Sequence, residues 1–326
     1  MGSRMSRRAV IFGGSGYIGM QVAKYLRNLG WEYILLCDIR VPSDVLPEGL
    51  EYAFCDVRNA IKQQIGDLKV DWIFNFAAVH REPGHEFREY FDTNLPGAVN
   101  ICAYASEIGC QKIFFTSSIA VYGEIRGPTD ESARVYPETG YGISKLCAEL
   151  IHRNWQIENT LRRLVIVRPG VVYGPGDPGN ILRMIRAIQR GRFLIPGDGS
   201  VRKSYAYIYG LLDSIQFAIS RPESYLCYNY VEKNTECLAD LAACITSELG
   251  IWRPQLHVPK SVLVFIASIA QLASGRRSPL HPVRVRKASM STHIVPAELI
   301  RLGFSFRYDF AESLKHWRVI APGDFV

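Results

Sequence analysis

Residues 8–19 read Arg8-Ala9-Val10-Ile11-Phe12-Gly13-Gly14-Ser15-Gly16-Tyr17-Ile18-Gly19. The run opens as a short apolar segment that ends in glycine, the signature of a buried strand. Ile18, Val22, Tyr25, Leu26 and Leu29 then recur at helical spacing until Gly30 stops them. Glycines at 13, 16 and 19 therefore lie between a strand and an amphipathic helix, the context in which such spacing carries meaning. Gly13 permits a tight turn, Gly16 lets backbone approach a pyrophosphate at the helix N-terminus, and Gly19 allows close helix–strand packing. Ser15, Tyr17 and Ile18 fill the same turn and complete the candidate phosphate-binding set.

The next strand, 33–37, runs into Asp38, about 20 residues downstream of the glycines. A carboxylate there accepts ribose hydroxyls and repels a 2′-phosphate, which favours NAD over NADP. Arg40 is the opposing signal, since a nearby arginine could accommodate that phosphate. Asp56 and Val57 follow a third strand at 51–54 and are candidates for contact with adenine. Ala77 and Ala78 end a fourth at 72–77, where small side chains would let backbone lie against a cofactor. A helix at 94–108, a fifth strand at 112–116, a helix at 139–158 and a sixth strand at 163–168 continue the alternation. This order predicts an α/β fold, a Rossmann-type doubly wound parallel sheet.

Beyond Gly174 breakers accumulate, in Gly174-Pro175-Gly176-Asp177-Pro178-Gly179 and Pro196-Gly197-Asp198-Gly199. A helix is expected at 180–190, with strands at 204–209 and 225–231. We read 1–175 as the NAD-binding domain, with 203–232 returning to it. Residues 176–202 and 233–326 read as a smaller, discontinuous substrate-binding lobe.

Tyr141-Gly142-Ile143-Ser144-Lys145 sets a tyrosine and a lysine four residues apart on one helix face. A phenol is a poor base at neutral pH. A neighbouring ammonium and a positive nicotinamide ring both favour the phenolate. Tyr141 can then take a proton from a substrate hydroxyl as hydride leaves for NAD, and return it in reverse. Ser118, at the end of the fifth strand, can bond the same oxygen, and Lys145 can also bond the nicotinamide ribose.

These segments, with Asn94, Thr116–Gly123 and Arg168–Gly176, resemble the extended short-chain dehydrogenase/reductase family, in its nucleotide-sugar epimerase/dehydratase branch. The resemblance runs from residue 8 to about 210 and weakens beyond. It implies catalytic roles for Ser118, Tyr141 and Lys145 and a supporting one for Asn94. It places Pro169 and Val171 beside the nicotinamide, and Asn180 with Ile181 against the substrate diphosphate. Lys203 falls where the family usually carries a diphosphate-binding arginine, with Arg202 beside it. Arg284 and Arg286 are further candidates.

Dehydratases of this family carry an Asp-Glu pair after the catalytic residue, where this chain has Ile119 and Ala120. Dehydration is therefore not expected. The resemblance implies an NAD-dependent nucleotide-sugar epimerase, acting at C4 through a transient keto sugar in glycan precursor synthesis. A keto-sugar reductase using NAD(P)H stays open, as does a non-catalytic NAD-binding regulator. A UDP-sugar is the expected substrate, although Pro196 stands where family members often stack an aromatic on uracil. Phe193 or Tyr205 could substitute. His80 and Arg81, in a charged loop, could recognise a substituted or acidic sugar.

The net charge of +7 fits an anionic substrate, and no nucleic-acid motif is visible. The eight cysteines show no CxxC spacing and read as free thiols, with no metal site. No signal-peptide cleavage pattern follows the basic Met1–Arg8, so a cytoplasmic chain is expected. Residues 261–273, followed by Arg276 and Arg277, form an apolar run too short to span a bilayer. A core helix is expected there rather than membrane contact. The family suggests a homodimer through helices near 95–108 and 140–158.

Overall fold

The computed structural model describes residues 7–326, apart from 44, 81–83, 178, 253, 264, 266, 267 and 269–289. Arg81, Arg284, Arg286, Arg276 and Arg277 lie outside the described residues.

The first half alternates as expected. Strands β1 (Arg8–Phe12), β2 (Tyr33–Asp38), β3 (Leu50–Phe54), β4 (Trp72–Asn75), β5 (Lys112–Thr116) and β6 (Arg163–Pro169) are interleaved with helices. These are α1 (Tyr17–Asn28), α2 (Lys62–Ile65), α3 (Phe87–Glu107) and α4 (Gly140–Ile157). Together with β10 (Tyr225–Tyr230) the strands make a seven-stranded sheet, ordered β10-β6-β5-β4-β1-β2-β3, with every pairing parallel. The chain winds outward one way from β1 and the other way from β4. The crevice between their C-terminal ends is the switch point at which such sheets bind ligands.

Parallel strands covered on both faces must be apolar throughout, and these are. Ala9, Ile11, Leu36 and Phe74 face one core with α1 residues Val22 and Leu26. Val10, Phe12, Ile73 and Phe115 face the other with α3 residues Ile101 and Ala105.

The second half adds β7 (Val171–Tyr173), α5 (Asn180–Gln189), β8 (Leu194–Pro196), β9 (Tyr205–Tyr207), α6 (Ile208–Ser220), α7 (Leu238–Leu249), β11 (Leu256–Val258), α8 (Ala297–Arg301) and α9 (Phe310–Ile320). Two short pairs, β7–β9 and β8–β11, stand apart from the main sheet.

Three expectations need correction. The helix expected from 94 begins at Phe87, because Glu86 and Glu89 form a reciprocal capping box there. It then runs through Pro96. The strand expected at 204–209 is only Tyr205–Tyr207, and the buried helix α6 starts at the next residue. No glycine or proline separates the two, so the change of period was not legible. The apolar run from 261 is not a core helix over its described part. Residues 260–263 are helical, but Val262 is 43% and Phe265 66% exposed.

Candidate active site

The glycine turn packs where a dinucleotide needs room. Gly13 takes φ +75°, and a Cβ on it would lie 2.7 Å from the Ala77 nitrogen, so β1 and β4 meet there without side chains. Gly16 is the N-cap of α1, and no side chain caps that end. The first amides of the helix are left for an anion. The Ser15 hydroxyl is buried with no hydrogen-bond partner among the described residues. Such an orphan awaits a ligand atom or water.

Asp38 is 7% exposed at the end of β2. One of its oxygens accepts from the Ser15 backbone at 3.2 Å and the other from the Arg40 backbone at 3.0 Å. A carboxylate has about four acceptor sites, so capacity remains for a diol. The Arg40 side chain is 68% exposed, with Nε 3.8 Å from Asp38. Asp56 is bound by Arg58, and the Val57 carbonyl by Asn100. Uncapped amides, an orphan hydroxyl and a buried carboxylate at one crevice fit an adenine dinucleotide.

Packing brings the catalytic candidates together from separate elements. Ser118 lies two residues beyond β5 and caps a 3-10 turn at Ile119–Tyr122, its hydroxyl accepting from the Ala120 nitrogen at 3.1 Å. Helix α4 starts against that turn. A Cβ on Gly142 would lie 2.5 Å from the Ala120 carbonyl. Tyr141 is thereby set beside the turn that holds Ser118. One turn further, Lys145 is 3% exposed, with Nζ 4.5 Å from the centre of the Phe115 ring on β5. Burial pulls the Lys145 ammonium down to about 7, opposed by the Glu149 carboxylate. Asn94 pins the arrangement from α3. Its amide donates to Ser144 Oγ at 2.9 Å and to the Val79 carbonyl at 3.1 Å, and its oxygen accepts from the Val79 nitrogen. The Ser144 hydroxyl in turn donates to the Tyr141 carbonyl.

The sequence profile of the NAD dependent epimerase/dehydratase family matches residues 9–229. The chain belongs to this family. A relative from Escherichia coli O157:H7, N-acetyl-alpha-D-glucosaminyl-diphospho-ditrans,octacis-undecaprenol 4-epimerase, is 27% identical over 95% of this chain and 94% of its own length. The solved UDP-N-acetylglucosamine 4-epimerase from Bacillus cereus superposes with a TM-score of 0.76 at 18% identity, covering 98% of this chain and 97% of that one. The Bordetella bronchiseptica enzyme WbmG in complex with NAD gives 0.77 at 17% identity, covering 100% and 99%. These two structures share the fold, a Rossmann-type sheet.

For a member of this epimerase/dehydratase family, the remaining site residues fall in two groups. Pro169 is buried at the end of β6, and Val171 opens β7 with its nitrogen donating to the Ser204 carbonyl. Ala77 and Ala78 follow β4, with the Ala77 nitrogen donating to Asn75 Oδ1. The substrate candidates are more dispersed. Asn180 is exposed at the start of α5 and accepts from Arg183 at 2.6 Å. Ile181 is fully buried in the core, so only its backbone could meet a ligand. Lys203 Nζ donates to the Met290 carbonyl, and burial lowers this lysine to about 8. Arg202 donates to the Thr235 carbonyl. His80 is exposed.

Sequence reasoning missed three contributors. Glu149 is held by Arg168 in a buried ion pair. His152 is fully buried, stacks on Phe115 at 4.3 Å and contacts Asn75 at 3.3 Å. Tyr90 lies 6.2 Å from the Tyr141 ring. Glu149 was the detectable one, since it stands four residues after Lys145 on the same face of the helix.

Proposed function

We propose that this chain is an NAD-dependent epimerase that inverts C4 of a sugar held on a diphosphate, with a UDP-sugar as substrate. The observation that supports this reading is the close packing of Gly142 on the Ala120 carbonyl, which joins the first turn of α4, next to Tyr141, to the 3-10 turn capped by Ser118. When bound there, NAD supplies the hydride acceptor and donor. The chain's own residues move the proton. Tyr141 Oη takes it from the C4 hydroxyl while Ser118 Oγ holds the same oxygen. Charged Lys145 favours the phenolate, and Glu149 favours charged Lys145. Tyr141 Oη then returns the proton to the C4 oxygen, and the configuration inverts because the hydride comes back to the opposite face of the keto sugar. No external reductant is consumed, which separates this reaction from keto-sugar reduction.

In this reading residues 1–175 with 203–232 bind NAD, and 176–202 with 233–326 bind the sugar. Asn180 and Lys203 meet the diphosphate. The enzyme works in the cytoplasm in glycan precursor synthesis. A homodimer through α3 and α4 accords with the exposure of Val99, Leu150 and Ile157 on those helices.

One observation favours a second reading of the carrier. The Escherichia coli relative that matches nearly the whole chain is named for a sugar on diphospho-undecaprenol. In this reading the diphosphate carries a polyprenol instead of a nucleoside.

The test offers UDP-N-acetylglucosamine, UDP-glucose and N-acetylglucosaminyl-diphospho-undecaprenol to the purified protein, with no reductant added. Proton NMR follows the C4 configuration. Inversion of any of the three supports the epimerase. Product formed only when NADPH is added to a keto sugar would replace it with a reductase.

A further inference from the structure

One edge of the C-terminal half exposes large apolar side chains. Pairing of β8 with β11 sets Leu194 beside Leu256, and they are 38% and 51% exposed. Trp252, four residues before Leu256, is 85% exposed. The helical residues 260–263 follow β11 directly, and Val262 and Phe265 are 43% and 66% exposed. Single exposed apolar residues are ordinary, but several on one edge mark a contact surface.

The charge on this edge selects among occupants. Arg190 and Arg192 lead into β8, and Lys260 follows β11; all three are exposed. Asp198, whose carboxylate is engaged by Ser200, also feels the Lys260 charge, so the two arginines carry most of the rim. A cationic rim on a chain of net charge +7 repels a second copy and attracts an anionic surface. Among the described residues no helix is long and apolar enough to cross a membrane, so the contact would be peripheral. The edge lies at the opposite end of α5 from the proposed diphosphate site, about 15 Å along the helix, which runs from Asn180 to Gln189 and into Arg190 and Arg192.

We propose that the edge formed by Leu194, Trp252, Leu256 and Phe265, rimmed by Arg190 and Arg192, docks on an anionic phospholipid bilayer, where the enzyme meets a sugar carried on a lipid diphosphate. This rests on the second reading of the carrier. The apolar side chains insert at the headgroup boundary, and each basic residue near an anionic surface strengthens binding about fivefold.

The full chain is floated with vesicles of phosphatidylglycerol and phosphatidylcholine, and with phosphatidylcholine alone. Binding to the anionic vesicles is expected, falling with added salt. A Leu256→Asp/Phe265→Asp variant should bind at least tenfold more weakly, and so should Arg190→Glu/Arg192→Glu, which alters exposed side chains only. Both should still invert a soluble UDP-sugar at the wild-type rate if the wild type does so. Absence of anionic-vesicle binding, or equal binding by both variants, overturns the proposal. It also falls if the apolar variant changes the oligomer mass while keeping vesicle binding, which would assign the face to a second copy. If the wild type binds vesicles but inverts none of the offered sugars, the epimerase reading fails and the docking face stands.

Discussion

Glu149 on α4 and Arg168 on β6 form a buried two-pronged ion pair one helical turn beyond Lys145. Arg168 Nε donates to Glu149 Oε1 at 2.9 Å and Nη2 to Oε2 at 2.6 Å, with the side chains 9% and 6% exposed. Arg168 also donates to the Tyr122 hydroxyl at 3.0 Å, which donates to Asn229 Oδ1 at 2.8 Å. Helix α4, the sheet and the 3-10 turn after Ser118 are tied at one point. Removing one partner strands a buried charge, which costs about 3–5 kcal/mol. Arg168→Met should lose that much stability in urea denaturation. Arg168→Met/Glu149→Leu should recover most of it, whereas additive losses would contradict the pairing.

Tyr141→Phe keeps the ring and deletes the proton carrier. General acid–base catalysis contributes about 10²–10⁴-fold, and turnover should fall by that factor. Cofactor release on denaturation, read by mass spectrometry, should be unchanged. Retained turnover would remove Tyr141 from the mechanism.

Asp38→Asn exchanges a charged acceptor for a neutral one at the ribose position. Hydrogen bonds to charged groups contribute about 1.5–3 kcal/mol, so NAD affinity should drop roughly 10–100-fold. Titration calorimetry reads this directly, and NADP should lose less because its phosphate no longer meets a carboxylate.

His152 makes acid stability specific. Burial lowers its pKa to about 4 from 6.5, and Nδ1 sits 2.7 Å from the Ala148 carbonyl. Neutral imidazole with Nδ1–H donates there and leaves Nε2 to accept from Asn75. The unfolded chain takes the proton near pH 6.5 and the folded chain only near 4. Stability from this group is therefore complete above 6.5 and lost as pH falls to 4. The total is about 3 kcal/mol, at 1.36 kcal/mol per unit. A His152→Gln variant should show a flatter stability profile between pH 6.5 and 4.

Gly142→Ala tests the joint between helix and turn. The added Cβ would meet the Ala120 carbonyl at 2.5 Å, a contact that backbone must move to relieve. Turnover should fall more than stability, because the displaced part is Tyr141 relative to Ser118. A variant with wild-type turnover would show that the packing leaves the site unchanged.

Much of the first half was legible because a parallel sheet has strong local signals. Buried strands read as apolar runs, and the glycines of 13–19 are demanded by backbone approach. The helix start at Phe87 was hidden because its cap is made by glutamates, which read as loop charges. Helix α6 was hidden because no breaker separates it from β9.

The sequence by itself determined the βα alternation, the glycine turn, Asp38 and the Tyr141–Lys145 spacing, because each rests on periodicity or on a residue type at short range. Only the tertiary structure decided that Glu149 meets Arg168, that His152 sits neutral under Phe115, that Ile181 is core and that Leu194 meets Leu256 on an open edge. Those relationships join residues 19 to 62 positions apart or depend on burial, and no local pattern encodes which distant strand or helix will cover a side chain.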